Sequence, residues 1–333
     1  MNAPALWRNG FTLVELLIST ALISLLLVVL VSMTSQTSDI WCAANARTEQ
    51  FREARAAFES LTNRLSQATL NPYWDYFDSA GISASQANYN GTPKSFGRQS
   101  ELRFKCQPGL QNTHEVFFQA PLGYSNSNAG LENLLNTWGF FVSFGEESHR
   151  PAFLTLPARH RFRLMEYMEP SENLSVYSNP NAWLPATPSQ RALYSHGLAE
   201  NVVALILLPK LSSREDPTGA NLAPSYAYDS TSDGPNGLTD ENCSTKNQLP
   251  PVIQVTMVAV DEASFRRFLG SATTMPSLGL EGLFTTVGDL QNSANPGYAR
   301  DLKMLETTLQ KNKLNYRIFT TDVALRGAKW SRN

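Results

Sequence analysis

The sequence predicts an α+β fold, in which a long N-terminal α-helix packs on a mainly antiparallel β-sheet head. Three observations carry this expectation. Apolar residues dominate from Phe11 to about Met33, and Glu15 is the only ionisable side chain between Asn9 and Ser38. Amphipathic helical spacing follows, ending at a proline. The remaining chain then alternates short strand-like runs with turn-rich segments and a few helical patterns.

The N-terminal run is about 20 apolar residues long, enough to cross the hydrocarbon core of a bilayer as a helix. Helical spacing then continues through Phe51, Ala54, Phe58, Leu61, Leu65 and Ala68, which places one stripe against a single partner. The opposite face carries Arg52, Glu53, Arg55, Glu59 and Arg64, with Arg55 and Glu59 at i,i+4. Pro72 sets an end near Leu70. A separate amphipathic helix after a break at Ser32–Ser38 is the alternative. The expected organisation is a leader over residues 1–10, a transmembrane helix over 11–35, an amphipathic extension over 36–70 and an extracytoplasmic head over 71–333.

In the head, Asn71–Gln99 is rich in Asn, Ser, Gly, Tyr and Pro and reads as a loop. Strands are expected at Glu101–Cys106, Glu115–Ala120, Trp138–Phe144, Arg161–Met168, Val202–Leu208, Val252–Val260 and Arg317–Leu325. Several alternate apolar and polar residues, as a sheet with one wet face requires. Helices are expected at Asn128–Asn136, Asp261–Leu269 and Tyr298–Lys311, where Leu302, Leu305 and Leu309 share a face.

Glu15 needs an explanation, because a carboxylate in mid-membrane on a lone helix costs roughly 2.5–3.5 kcal/mol on insertion scales. The order Gly10-Phe11-Thr12-Leu13-Val14-Glu15 ahead of the apolar run resembles type IV prepilins and type II secretion pseudopilins. The resemblance implies cleavage between Gly10 and Phe11 by a prepilin peptidase and N-methylation of Phe11. It also implies that Glu15 serves as an assembly carboxylate facing the N-terminal amine of a neighbouring subunit. The physics is compatible: an α-amine is cationic near neutral pH, and a buried charge is tolerable mainly when paired. An ordinary signal peptide has a shorter apolar region and a small-x-small cleavage site. A plain single-pass anchor accounts for the length but not for the Gly-Phe-Thr-Leu-Val-Glu order. Arg8 before the run, with Asp39 and then Arg47 after it, favours a cytoplasmic N-terminus. The head would then lie beyond the inner, cytoplasmic membrane, in the periplasm or outside the cell.

Two head segments, Leu198–Leu205 and Leu249–Thr256, resemble paired strands of the type II secretion minor pseudopilin J. Phe51-Arg52-Glu53-Ala54-Arg55 and Leu325-Arg326-Gly327-Ala328-Lys329-Trp330 resemble the Verru_Chthon cassette protein C family more closely, and that likeness runs over most of the chain. The inserts at 71–100 and 209–250 depart from pseudopilin J.

Composition narrows the function classes further. Of 333 residues only 17% are charged and the net charge is −2, which is no footprint for nucleic acid. Three cysteines, Cys42, Cys106 and Cys243, allow one bridge and one free thiol. Cys106–Cys243 is the candidate disulfide, and two unpaired buried thiols are the alternative. Calcium is the only cofactor suggested. In the acidic turn-rich stretch, Asp229, Thr231, Asp233, Gly234 and Asp240 fall at positions 1, 3, 5, 6 and 12 of an EF-hand loop. Asn236 at position 8 and an Asp at position 12 argue for a solvated loop instead. The four histidines are dispersed, and neither a metal-ligand spacing nor a nucleophile motif stands out. Tyr73, Trp74, Tyr76, Phe77, Tyr226 and Tyr228 either pin loops to the core or form a contact surface.

The expected function is non-enzymatic: a minor pilin or pseudopilin subunit, processed by prepilin peptidase and assembled with other pilin-like subunits in a type II secretion-like pseudopilus or its tip. A minor type IV pilin or adhesin is the alternative within this class. A membrane-tethered binding module or enzyme that uses the motif only as an anchor is the alternative outside it.

Overall fold

The computed structural model describes residues 12–109, 113–128, 130–131, 133–146, 153, 159–179, 183–185, 187–219, 221–232, 245–288 and 297–329. The chain divides into two compact units, Met1–Gln50 and Phe51–Asn333. The boundary falls where the amphipathic stripe begins.

Helix α1, Leu13–Leu65, is unbroken, so the alternative of two helices is excluded. It ends five residues before the expected Leu70. Gln67 and Ala68 donate to the carbonyls of Arg64 and Leu65 in a tightened last turn, and Thr69 N–H then bonds Gln119 O at 2.9 Å. Asn71 completes the exit by accepting Glu101 and Leu102 N–H on its side-chain oxygen, both at 3.1 Å. The chain leaves the helix because strand backbone captures it.

The strands are β1 Tyr73–Phe77, β2 Ser95–Gln99, β3 Phe104–Pro108, β4 His114–Pro121, β5 Leu135–Gly145, β6 Arg161–Glu169, β7 Ser195–Glu200, β8 Val202–Lys210, β9 Tyr228–Asp229, β10 Val252–Val260 and β11 Tyr316–Ala324. The helices after α1 are α2 Ser175–Ser178, α3 Pro188–Leu193, α4 Glu262–Leu269 and α5 Gly297–Lys311, with a 3-10 turn at Ser171–Asn173. Every pairing among the described strands is antiparallel, in a six-stranded sheet ordered β7-β6-β5-β4-β3-β9, a three-stranded sheet β11-β10-β8 and a hairpin β1-β2. The α+β class therefore holds, with antiparallel sheets and a long apolar N-terminal helix.

The seven expected strands all form, and β10 coincides with Val252–Val260 residue for residue. Val202–Leu208 lacks alternation because β8 is buried along almost its whole length, packed over β4, β5 and β6. Asp261 caps α4 through Ser264 N–H.

Two expectations are corrected. Asn71–Gln99 contains the β1-β2 hairpin, whose turn region is braced by Asp78 accepting Ala80 and Ile82 N–H at 2.8 and 2.9 Å. The described residues of Asn128–Asn136 form no helix: β5 starts at Leu135, and Asn136 clamps Tyr124 by accepting its N–H and donating to its carbonyl. Upstream, Glu172 binds Ser125 and the N–H groups of Asn126 and Ser127. Non-local polar clamps overrode the local pattern there.

Within the head unit, residues 51–65 of α1 bury Ala54, Ala57, Phe58, Leu61 and Leu65. Phe58 packs on Phe319 of β11, and Arg317 lies over Phe51. Arg64 reaches β5 and β6, stacking over Trp138 and pairing with Glu166. Gly139 is bare for a local reason: a Cβ there would sit 2.3 Å from the Phe117 ring.

Candidate functional site

Of the residues that sequence singled out for assembly, Glu15 lies in the first turn of α1. Thr12 and Glu15 form a reciprocal cap. Glu15 N–H donates to Thr12 Oγ1 at 3.3 Å, while Thr12 N–H and Oγ1–H donate to Glu15 Oε2 at 3.3 and 3.2 Å. This is a capping box, and its Thr-x-x-Glu signature is present in the sequence. Glu15 therefore has a partner on its own chain, a contact missed when the residue was read only as a lone acid. Gly10 and Phe11 lie outside the described residues.

Polar side chains farther along this segment are satisfied locally. Ser19, Thr34 and Thr37 donate to carbonyls four residues back at 2.7–2.8 Å, and Thr20 and Ser24 to carbonyls three residues back. A helix that satisfies its hydroxyls internally tolerates lipid. Mean hydropathy over the most apolar 18-residue window is 2.7, and none of that window is buried. Every large apolar side chain described from Leu13 to Met33 is exposed by 45% or more. Such a surface requires a membrane or other subunits to cover it.

The head shows where the other candidates went. Asp229 is spoken for: Oδ1 accepts Thr231 N–H and Oγ1–H at 2.9 and 2.7 Å, and Oδ2 pairs with Lys105 at 3.3 Å. Asp233 and Asp240 lie outside the described residues, and among the described residues no group of three His, Cys, Asp or Glu converges on a metal position. Cys106 is a free buried thiol near Tyr226 O, and burial raises its pKa; Cys243 lies outside the described residues. Of the aromatic set, Tyr226 and Tyr228 are wholly buried. Trp74 and Tyr76 are exposed and join Phe96 on one face of the hairpin, with Trp74 stacked on Phe96 at 4.8 Å.

Three buried polar groups hold the head together, and their pairings were not visible in sequence. Glu166, 1% exposed, accepts from Arg64 and from Trp138 Nε1 at 2.7 Å, and its other oxygen lies 3.0 Å from His196 Nε2. Burial, reinforced by the Arg64 guanidinium, lowers the pKa of His196. Glu115 and Arg191 form a bidentate buried pair that ties α3 to β4. Arg191 also donates to Pro185 O at 3.1 Å and lies over Phe141.

His114 is the third. Leu207 N–H donates to its Nδ1 at 3.0 Å, so Nε2–H donates to Phe284 O at 3.1 Å. Burial holds its pKa down at about 4 against an ordinary 6.5. An unfolded chain therefore binds a proton below about pH 6.5 that the folded chain refuses until about pH 4. Stability falls as pH drops through that window, by roughly 3 kcal/mol from this group, and the loss levels off below it. Chemical denaturation at pH 7 and pH 4.5 should show this, and His114→Gln should flatten that part of the profile.

A cavity of about 470 Å³ opens beside β7, lined in part by Phe141, Met165, Arg163, Arg191, Ser195 and Gly197.

The apolar N-terminal helix and antiparallel α+β head are consistent with a pilin-like fold and point to membrane anchoring. Residues 8–31 match the family model described as the prokaryotic N-terminal methylation motif. That motif is prepilin-like and points to prepilin-type processing and to assembly with pilin-like subunits. No curated protein and no solved structure matches the chain.

Proposed function

We propose that this chain is a minor pilin or pseudopilin subunit, working by assembly and not by catalysis. Prepilin peptidase cuts after Gly10, Phe11 becomes the methylated N-terminus, and Glu15 pairs with the amine of a neighbouring subunit inside a bundle of apolar helices. The observation that carries this reading is a methylation motif over residues 8–31 leading into an apolar helix with no protein cover of its own. Glu15 then exchanges its intrachain Thr12 contacts for an intermolecular charge pair as it enters a low-dielectric bundle, where an opposite charge is worth more.

The size of the head favours a minor position. Some 280 residues from Phe51 to Asn333 form the second compact unit; repeated at every subunit of a dense filament, that bulk would crowd, whereas at a tip it is not repeated. A type II secretion-like pseudopilus is the assembly favoured.

Fractionation in the native host tests the reading. The mature chain should co-sediment with sheared pilin-like subunits when the peptidase is active, and should remain as uncut membrane protein in a peptidase deletion. Identical membrane retention and solitary behaviour in both strains would contradict it.

A further inference from the structure

The cavity beside β7 has features that the fold of the head does not explain. β7 is the outermost strand of the six-stranded sheet and, among the described residues, pairs only with β6. Its other edge therefore presents backbone N–H and C=O groups. Ser195 is 8% exposed and lines the cavity, yet its Oγ has no hydrogen-bond partner. Leaving a buried hydroxyl unmet is unfavourable, so this one is complete only when something else supplies the bond.

Gly197 shares the face of Ser195, two residues along the strand. Neither backbone nor packing demands a glycine there. Its φ is not positive, and a Cβ would meet only Arg163 Cδ at 3.6 Å, an ordinary contact. A glycine in a strand interior weakens it and often marks a bulge or the close approach of a ligand or another backbone. Between Gly197 and Ala199 the register slips, leaving Leu198 without a residue opposite it on β6. A bulge at a sheet edge re-aims side chains, and Leu198 also lines the cavity.

The wall chemistry narrows the occupant. Phe141, Met165, Ala192 and Leu198 are apolar, Glu53, Glu146, Glu200 and His196 add polar wall, and the two arginines are already engaged. Arg163 donates to the carbonyls of Gly145 and Glu146, and Arg191 is held by Glu115. What remains is a largely apolar trough with acidic groups on its wall, along a bare strand edge, where the buried Ser195 hydroxyl is unmet. We propose that the β7 edge and its cavity receive an extended, apolar peptide segment of a partner protein. That segment adds a strand beside Ser195–Glu200, places alternate side chains in the trough and bonds Ser195 Oγ. The inference does not depend on processing at Gly10 or on Glu15.

The test uses the full chain in lipid nanodiscs and a library of fluorescein-labelled, terminally blocked heptapeptides with apolar residues at alternate positions, read by fluorescence polarisation. Some members should bind with Kd below about 100 μM. Gly197→Val should weaken them at least tenfold with an unchanged thermal melt, and Ser195→Ala should weaken them less. N-methylation of alternate peptide amides, which removes backbone donors and keeps the side chains, should also cost at least tenfold. No binding at 1 mM, or binding indifferent to Gly197→Val, would overturn the proposal. Equal binding of N-methylated peptides would overturn it in favour of a small-molecule pocket. A valine that unfolds the head is replaced by Gly197→Ala with Leu198→Glu, read in the same assay.

Discussion

Glu15→Gln should leave cleavage after Gly10 intact and remove the protein from the assembled fraction. Truncating one member of a buried hydrogen-bonded charge pair costs about 2–5 kcal/mol, a loss of roughly thirty- to several-thousand-fold in subunit affinity. Glutamine is the informative substitution because of the Thr12–Glu15 capping box. A Gln at the third helical position preserves such a box, whereas Ala abolishes it. The cap alone is worth about 1 kcal/mol. If Glu15 matters for its charge, Gln and Ala should fail alike in a sheared-filament assay. If it matters only as a cap, Gln should assemble normally and Ala should show a mild defect.

The second large effect lies in the head. Arg191→Ala should destabilise it by about 3–5 kcal/mol, because it strands Glu115 as a buried charge. At roughly 2–4 °C per kcal/mol for a domain of this size, Tm should fall by about 6–20 °C in a circular dichroism melt. Gln107 Nε2 still donates to Glu115 at 2.8 Å, which places the loss at the lower end. The double replacement Arg191→Met with Glu115→Leu should recover most of the stability, since an apolar pair of similar volume often matches a buried salt bridge. A single variant that melts like the wild type would show that the pair contributes nothing.

Legibility in the sequence followed the distance over which the deciding contact acts. The span of α1, the α4 cap at Asp261 and all seven expected strands rest on periodicity and neighbours a few residues away. Tyr73–Phe77 escaped because its hairpin partner, Ser95–Gln99, sits in a segment dominated by Asn, Ser and Gly. Asn128–Asn136 had helical spacing, but Glu172, more than forty residues on, holds the preceding Ser125–Ser127 in another shape. The buried pairs are farther apart still, with 76 residues between Arg191 and Glu115 and 102 between Arg64 and Glu166. No local pattern announces such pairs; only the sheet order brings them together. At the N-terminus the situation is reversed: Thr12, Glu15 and the apolar run are contiguous, so both the cap and the anchor can be read directly. The cavity at β7 gave no sequence signal except Gly197, a glycine beside the register slip of that strand.

In the function proposed, assembly depends on cleavage that frees Phe11 to offer a methylated cationic amine to another subunit. Intact-mass and N-terminal peptide spectrometry of the protein purified from its native host measures it directly. The expected mature chain begins at Phe11, carries one added methyl group on the amine and lacks residues 1–10. A chain that retains Met1–Gly10, or that begins at any other residue, would contradict assembly through Glu15 and leave a simple membrane anchor.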